Sequence, residues 1–154
     1  QLNALAPGAE QGSELSPAQT PQIRAEAIQS VISKAEGAKQ SIEQARNQAT
    51  VFFQFAGGRR EQAEELAANL KSLGYIIPGE DREEGAANKH EVRYFHDEDG
   101  AVAERLAKDA TEALRDQGYN AYAASDVVAE SYVTYGGKKP RPGVLELWLE
   151  IPSR

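Results

Sequence analysis

The chain contains no cysteine, and this absence removes several kinds of chemistry. Without a thiol there is no disulfide, no thiolate metal site and no cysteine nucleophile. Only two histidines among 154 residues remain to act as bases or metal ligands. No apolar run approaches the roughly 20 residues that a membrane-spanning helix needs. The sequence therefore argues against most enzyme classes and against a membrane span.

Basic residues are also scarce, because 17 Lys and Arg stand against 24 Asp and Glu, giving a net charge of −7. Nucleic acids bind basic surfaces, so we do not expect a nucleic-acid partner. Methionine is absent and residue 1 is Gln, so we expect either a removed leader or a fragment of a longer protein. A removed secretory leader would suit a cysteine-free envelope protein. The expected location is therefore extracytoplasmic, in the periplasm or cell envelope.

Aromatic residues are missing from the first fifty positions, whereas eleven lie between Phe52 and Trp148. A segment without aromatic residues rarely builds a packed core of its own. The composition therefore predicts three parts. Residues 1–20, rich in Gly, Pro, Ser and Gln, are predicted to be a flexible lead-in. Residues 21–49 are predicted to be an alanine-rich amphipathic helix, and residues 50–154 a compact domain.

The predicted helix carries apolar residues at alternating steps of three and four, which is a heptad seam. The seam consists of Ile28, Val31, Ala35, Ala38, Ile42, Ala45 and Ala49. It is narrow, and Gly37 lowers helix stability by about 1 kcal/mol relative to alanine. Two interpretations remain open. Either the helix packs on the following domain, or it is a stalk that joins copies of the chain through the seam from Ile28 to Ile42.

Residues 50–154 contain an internal repeat. Ala63-Glu-x-Leu-Ala67 matches Ala103-Glu-x-Leu-Ala107 at an offset of 40, and Gly74-Tyr75 matches Gly118-Tyr119 at an offset of 44. The predicted strands are residues 51–55, 75–77, 91–96, 119–123 and 144–151, and the predicted helices are 59–73 and 100–117. Two strand–helix–strand halves predict an α+β fold with a ferredoxin-like β-α-β-β-α-β sheet. Both helices should lie on one face of this split βαβ arrangement, which a further C-terminal strand extends.

Two segments resemble known bacterial domain families. VFFQFAGGRREQAEELAANLKSLGYIIPG resembles the SPOR (sporulation-related repeat) pattern, in which an aromatic strand precedes a helix rich in A-E-x-L that ends in Gly-Tyr. EVRYFHDEDGAVAERLAKDATEALRDQGYNAY is similar in layout to the C-terminal domain of LytR-type cell-wall proteins. The resemblance covers about residues 50–151. It implies a SPOR-like pseudo-duplicated domain that binds peptidoglycan glycan strands through the exposed face of its sheet.

Strand alternation assigns the side chains of each strand to two faces of the sheet. The face turned away from the helices, here called the open face, is predicted to carry Phe52, Gln54, Arg93, Phe95, Glu146, Trp148 and Glu150. Aromatic rings stack on sugar faces or on apolar partner residues, while Arg and Glu orient a ligand by hydrogen bonds. This face is therefore either a ligand-binding surface or a surface covered by the N-terminal helix or by a second copy of the domain.

The predicted loop 124–143 is a second candidate for binding. Next to Gly136-Gly137 it contains two tyrosines and an unusual basic cluster, namely Tyr132, Tyr135, Lys138, Lys139 and Arg141. These residue types suit contact with an anionic or carbohydrate ligand on an exposed loop. Alternatively, the lysines keep an edge strand soluble.

The segment His96-Asp97-Glu98-Asp99 invites a catalytic or metal-binding interpretation. It lies at a strand-to-helix turn, where a carboxylate of Asp97 or Asp99 is expected to cap the helix. The segment also lacks the H-x-x-x-H spacing that places two metal ligands on one helical face. We therefore predict no catalytic, metal or cofactor site. The predicted function is a non-catalytic envelope module that binds a cell-wall glycan, and the alternative is a protein-interaction or oligomerisation domain in a larger bacterial assembly.

Overall fold

A computed structural model describes residues 21–119 and 126–152, and the structural statements below refer to these residues. The predicted lead-in 1–20 and most of the predicted strand 119–123 lie outside them. The chain divides into two compact units, Gln1–Gln40 and Ser41–Arg154. No helix in the described part of the chain is both long and apolar enough to cross a membrane.

The first helix, α1, spans Pro21–Arg46, close to its predicted bounds. Two more helices follow, α2 at Arg60–Ser72 and α3 at Gly100–Asp116. The strands are β1 at Thr50–Ala56, β2 at Glu80–Arg82, β3 at His90–Tyr94, β4 at Val128–Ser131 and β5 at Val144–Glu150. Short 3-10 turns occupy Glu84–Ala86 and Asp97–Asp99.

The five strands form one mixed sheet in the order β2-β1-β5-β3-β4, which confirms the predicted α+β class. β1 is parallel to β2 and to β5, while β3 is parallel to β4 and antiparallel to β5. Within each half the two parallel strands are direct neighbours, whereas a split βαβ arrangement would place another strand between them. The C-terminal strand β5 lies at the centre because Leu145, Leu147 and Leu149 are fully buried there.

The hydrophobic core lies between helices α2 and α3 and the face of the sheet opposite the open face. Three strands supply the largest buried side chains: Val51, Phe53 and Phe55 from β1, Val92 from β3, and Leu145, Leu147 and Leu149 from β5. The helices contribute Leu66 and Leu70 from α2 and Leu106 from α3, all fully buried. Each fully buried Leu or Phe contributes about 1.5–3 kcal/mol through the hydrophobic effect. This core fixes which side chains β1, β3 and β5 present on the open face.

The second predicted strand, residues 75–77, is reduced to a single bridge between Ile76 and Thr50. Ile76 donates its N–H to the Ala49 carbonyl at 2.9 Å and accepts the Val51 N–H at 2.8 Å. Pro78 then interrupts the ladder because proline has no N–H to donate. Pairing with β1 resumes only at β2, an acidic stretch that lies outside the predicted strands.

The prediction that residues 124–143 form only a loop is wrong, because they contain the edge strand β4. Its four residues pair in parallel with β3, and only Ala129 packs against the core, so the strand carries no strong apolar alternation. Thr111 on α3 holds the start of β4 by accepting the Val127 N–H at 3.0 Å. As a result, Tyr132 emerges directly beside the end of β3, where its N–H bonds the Tyr94 carbonyl at 2.7 Å.

The Gly-Tyr pairs that end α2 and α3 link the two halves of the domain. Tyr75, which follows α2, donates its hydroxyl hydrogen to Asp109 on α3 at 2.7 Å. Tyr119, which follows α3, accepts a hydrogen bond from the Gln62 side-chain amide on α2 at 2.5 Å. The glycine of each pair has a positive φ angle, 110° and 92°, as expected for a helix-ending glycine. The repeat in the sequence thus corresponds to a reciprocal contact between the halves.

Candidate functional site

The open face brings polar and aromatic side chains from three adjacent strands together. In the register of the sheet, Gln54 on β1 lies beside Trp148 on β5, and Arg93 on β3 lies beside Glu146 on β5. Glu91, two residues before Arg93, lies beside Trp148 from the other side. Val92 is buried on the core side of the sheet, so its neighbours Glu91 and Arg93 both lie on the open face.

At the centre of this face, the guanidinium of Arg93 lies against two aromatic rings. Its guanidinium carbon lies 4.3 Å from the centre of the Trp148 ring and 4.8 Å from the centre of the Tyr132 ring. Its Nε donates to Glu91 Oε2 at 2.6 Å, and the two side chains are only 18% and 15% exposed. Cation–π contacts strengthen as water is removed, so these rings and the carboxylate hold the guanidinium in a fixed orientation.

Two carboxylates fix the aromatic side chains. The Trp148 indole N–H donates to Glu146 Oε1 at 2.8 Å. The Tyr132 hydroxyl lies 3.5 Å from the Glu91 Oε2 that also accepts Arg93. Glu91 was not among the predicted site residues, although its spacing of two from Arg93 was the signal that places it on the same face.

The segment after β4 builds an aromatic wall beside this stack. The rings of Phe95, Tyr132 and Tyr135 contact one another, with centres 5.7–6.1 Å apart. Phe95 is buried, whereas Tyr135 is 49% exposed and offers its ring to solvent. A Cβ at Gly137 would lie 2.7 Å from the Tyr135 ring, so glycine is needed there for the ring to keep its position.

The side chains of Lys139 and His96 attach the loop that follows β4 to the end of β3. The Lys139 ammonium donates to the Val133 carbonyl at 2.7 Å and to the Phe95 carbonyl at 3.4 Å. His96 Nε2 donates to the Pro140 carbonyl at 2.8 Å. The aromatic wall is therefore held in place by contacts within the protein itself.

The stack and the wall enclose a cavity of about 250 Å³, here called the open-face cavity. It is lined by Arg93, Phe95, Tyr132, Tyr135, Lys138, Pro140, Glu146 and Trp148. Pockets for drug-sized ligands measure roughly 300–1,000 Å³, so this cavity suits one ring-sized group of a larger ligand.

The structure divides the ten predicted binding residues into three groups. Six line the open-face cavity, namely Arg93, Phe95, Tyr132, Tyr135, Lys138 and Trp148. Phe52 and Gln54 share the face but lie outside the cavity, and so does the exposed Arg141. Lys139 holds the loop through two carbonyl groups, so its ammonium is engaged within the protein rather than directed at a ligand.

The acidic segment before α3 differs from its predicted role. Asp99 occupies the N-cap position of α3 but makes no side-chain cap hydrogen bond there, so the capping expectation is wrong for Asp99. Its carboxylate accepts the Gly143 N–H at 3.0 and 3.2 Å, because the chain enters β5 directly beside it. Within residues 21–119 and 126–152, no three His, Asp or Glu side chains are grouped as metal ligands.

The predicted stalk seam lies on an exposed face of α1. Ile28, Val31 and Ile42 are 61%, 67% and 61% exposed, and Ala35 and Ala38 between them are exposed as well.

Comparisons with protein-family models, with curated proteins and with solved structures give no significant match for this chain.

Proposed function

We propose that this domain is a non-catalytic binding module of the bacterial cell envelope, and that its open-face cavity recognises a peptidoglycan glycan. The observation that carries the proposal is the stacking of Arg93 against both Trp148 and Tyr132, beside an aromatic wall held by the protein's own contacts. The SPOR-like, pseudo-duplicated relation of the two halves belongs to the same proposal. It is supported by the reciprocal hydrogen bonds of Tyr75 and Tyr119.

The chemistry of the cavity suits a sugar. A pyranose ring offers C–H groups on its faces, which stack on aromatic rings, and hydroxyl groups on its edge. The half-exposed Tyr135 ring supplies a stacking surface at the mouth of the cavity. Glu146 keeps acceptor capacity beyond the Trp148 N–H, and Lys138 offers a donor, so hydroxyl and amide groups of a sugar find partners of both kinds.

Cosedimentation with purified peptidoglycan sacculi tests the proposal, using intact wall and wall stripped of stem peptides by an amidase. We expect the chain to be retained on the stripped wall. Tyr135→Ala removes the exposed ring of the cavity and should lower the affinity for the wall by up to about ten-fold, since aromatic stacking contributes about 0.5–1.5 kcal/mol.

Phe52→Ala is the matched control, because Phe52 is a similarly exposed aromatic residue of the open face that lies outside the cavity. It should leave retention unchanged. Failure of the unaltered chain to bind the stripped wall would refute the proposal. An equal loss of retention in Tyr135→Ala and Phe52→Ala would show that the cavity is not the binding site.

The alternative function, a protein-interaction or oligomerisation domain, is favoured by one observation. The apolar seam of α1 exposes Ile28, Val31 and Ile42 by 61% or more. A seam of this kind gains free energy when a second helix covers it. If the chain fails to bind the wall but forms an oligomer that Ile28→Asp disrupts, this alternative replaces the first proposal.

A further inference from the structure

The guanidinium of Arg93 has binding capacity that the described residues do not use. A guanidinium carries five N–H donors, and within residues 21–119 and 126–152 only Nε is engaged, by Glu91 at 2.6 Å. Among the described residues, no hydrogen bond involves either Nη atom of Arg93. The Trp148 and Tyr132 rings both lie against the guanidinium, and Arg93 lines the cavity, where its remaining N–H groups can meet a ligand.

A second cation lies at the same cavity. Lys138 lines it and is exposed, and no hydrogen bond or ion pair engages its ammonium within the described residues. The lining residues carry two positive charges and one negative charge, from Glu146, and Glu91 beside Arg93 adds a second negative charge. The positive and negative charges at the cavity are therefore equal in number, in a chain whose net charge is −7.

A planar carboxylate matches these two cations. The edge of a guanidinium forms two parallel hydrogen bonds to a carboxylate, and such charge-assisted pairs are about twice as strong as neutral ones. The Arg93 side chain is only 18% exposed, and the half-exposed Tyr135 ring remains available to stack on the rest of the ligand. The carboxylate group and the stacked ring must then lie within one ring-sized unit, because the cavity measures about 250 Å³.

We infer that the open-face cavity selects a sugar residue that carries a free carboxylate, bound by the Nη groups of Arg93 and the ammonium of Lys138. This inference rests on the proposed glycan function and narrows it from glycans in general to acidic sugars. A neutral sugar would leave the guanidinium edge without a partner inside a partly dehydrated site, which costs binding energy.

The test compares two forms of one ligand. Soluble glycan fragments released from amidase-stripped wall keep their sugar carboxylates, and coupling to methylamine converts the same fragments into neutral amides. We expect titration calorimetry to show the acidic form binding at least ten-fold more tightly, and raised salt to reduce that difference. Equal affinity for both forms would overturn the inference and leave the glycan function intact. Binding of neither form would overturn both.

Variants locate the recognition within the cavity. Lys138→Gln should weaken binding of the acidic form several-fold more than it weakens binding of the amide form. Arg141→Gln is the matched control, since Arg141 is a neighbouring exposed cation outside the cavity. Arg93→Lys keeps the charge but loses the flat edge, and should remove most of the preference for the acid, with the melting temperature measured alongside.

A released stem peptide is the remaining probe, because its terminal carboxylate offers the same group on a different scaffold. Tighter binding of that peptide than of the acidic glycan would assign the cavity to peptides and contradict the inference.

Discussion

At the residue scale, Tyr75 shows how one buried hydroxyl couples the two halves of the domain. Tyr75→Phe removes its hydrogen bond to Asp109 and should lower the free energy of unfolding by about 1 kcal/mol at neutral pH. Burial, then the hydrogen bond and charge of Asp109, raise the pKa of Tyr75 above its ordinary value of 10.0. Above pH 10 the unfolded chain therefore loses a proton that the folded chain keeps, and stability falls as pH rises.

Urea unfolding at neutral pH and above pH 10 measures this effect. The difference in stability between the unaltered chain and Tyr75→Phe should shrink in alkaline solution, because phenylalanine has no proton to lose. Tyr135→Phe, at a tyrosine that is 49% exposed, is the control, and it should leave the free energy of unfolding unchanged both at neutral pH and above pH 10. A difference that stays constant with pH would contradict the assigned role of Tyr75.

Residue by residue, the predictable part of the site is the part that lies within strands. Alternation alone places Arg93 and Trp148 on one face, and the same rule would have included Glu91. The contact of Arg93 with Tyr132 depends instead on β4 pairing with β3, which the local sequence does not indicate. The role of Lys139 was not predictable either, since it follows from the path of the loop between Val133 and Pro140.

At the element scale, Thr111 connects α3 to the edge strand that carries the aromatic wall. Its hydroxyl accepts the Val127 N–H at 3.0 Å and donates to the Ala107 carbonyl at 2.9 Å. Thr111→Val keeps the shape but leaves the N–H of the buried Val127 without a partner, at a cost of about 1–3 kcal/mol. Amide hydrogen exchange should quicken in β4, and glycan affinity should fall because Tyr132 follows β4 directly.

Ser72→Ala, on the exposed end of α2, is the control for this change and should leave exchange in β4 as it was. If β4 exchanges no faster in Thr111→Val, the hydroxyl is not what positions the strand.

Elements with a strong apolar period were predicted, and the edge strands were not. β1, β5, α2 and α3 each bury one regular face, so their periodicity is visible in the sequence. β2 is Glu-Asp-Arg and β4 is Val-Ala-Glu-Ser, and each pairs with only one neighbouring strand in the described sheet. Such segments become strands through the backbone of that neighbour rather than through their own propensity.

At the scale of the whole molecule, the charges beside the α1 seam oppose self-association. Ile28, Ala35 and Ile42 occupy position a of the heptad, which places Lys34 at position g and Lys39 at position e. In a parallel pair of helices, position g of one helix faces position e of the other, so the two lysines meet there. Like charges there destabilise the pair, so sedimentation equilibrium should find a monomer, and Ile28→Asp should not change the mass. Gln29→Asp, away from the seam, is the control. A dimer lost only in Ile28→Asp would favour the assembly function.

The most direct test of the central claim uses the single tryptophan, because Trp148 lies in the open-face cavity and its indole N–H is bonded to Glu146. With 15N-labelled tryptophan, the chain gives one indole N–H signal. Titration with peptidoglycan glycan fragments should shift this signal saturably in the unaltered chain and in Phe52→Ala, and only weakly in Tyr135→Ala. An indole signal that stays unchanged throughout the titration would show that no glycan enters the cavity and would contradict the account.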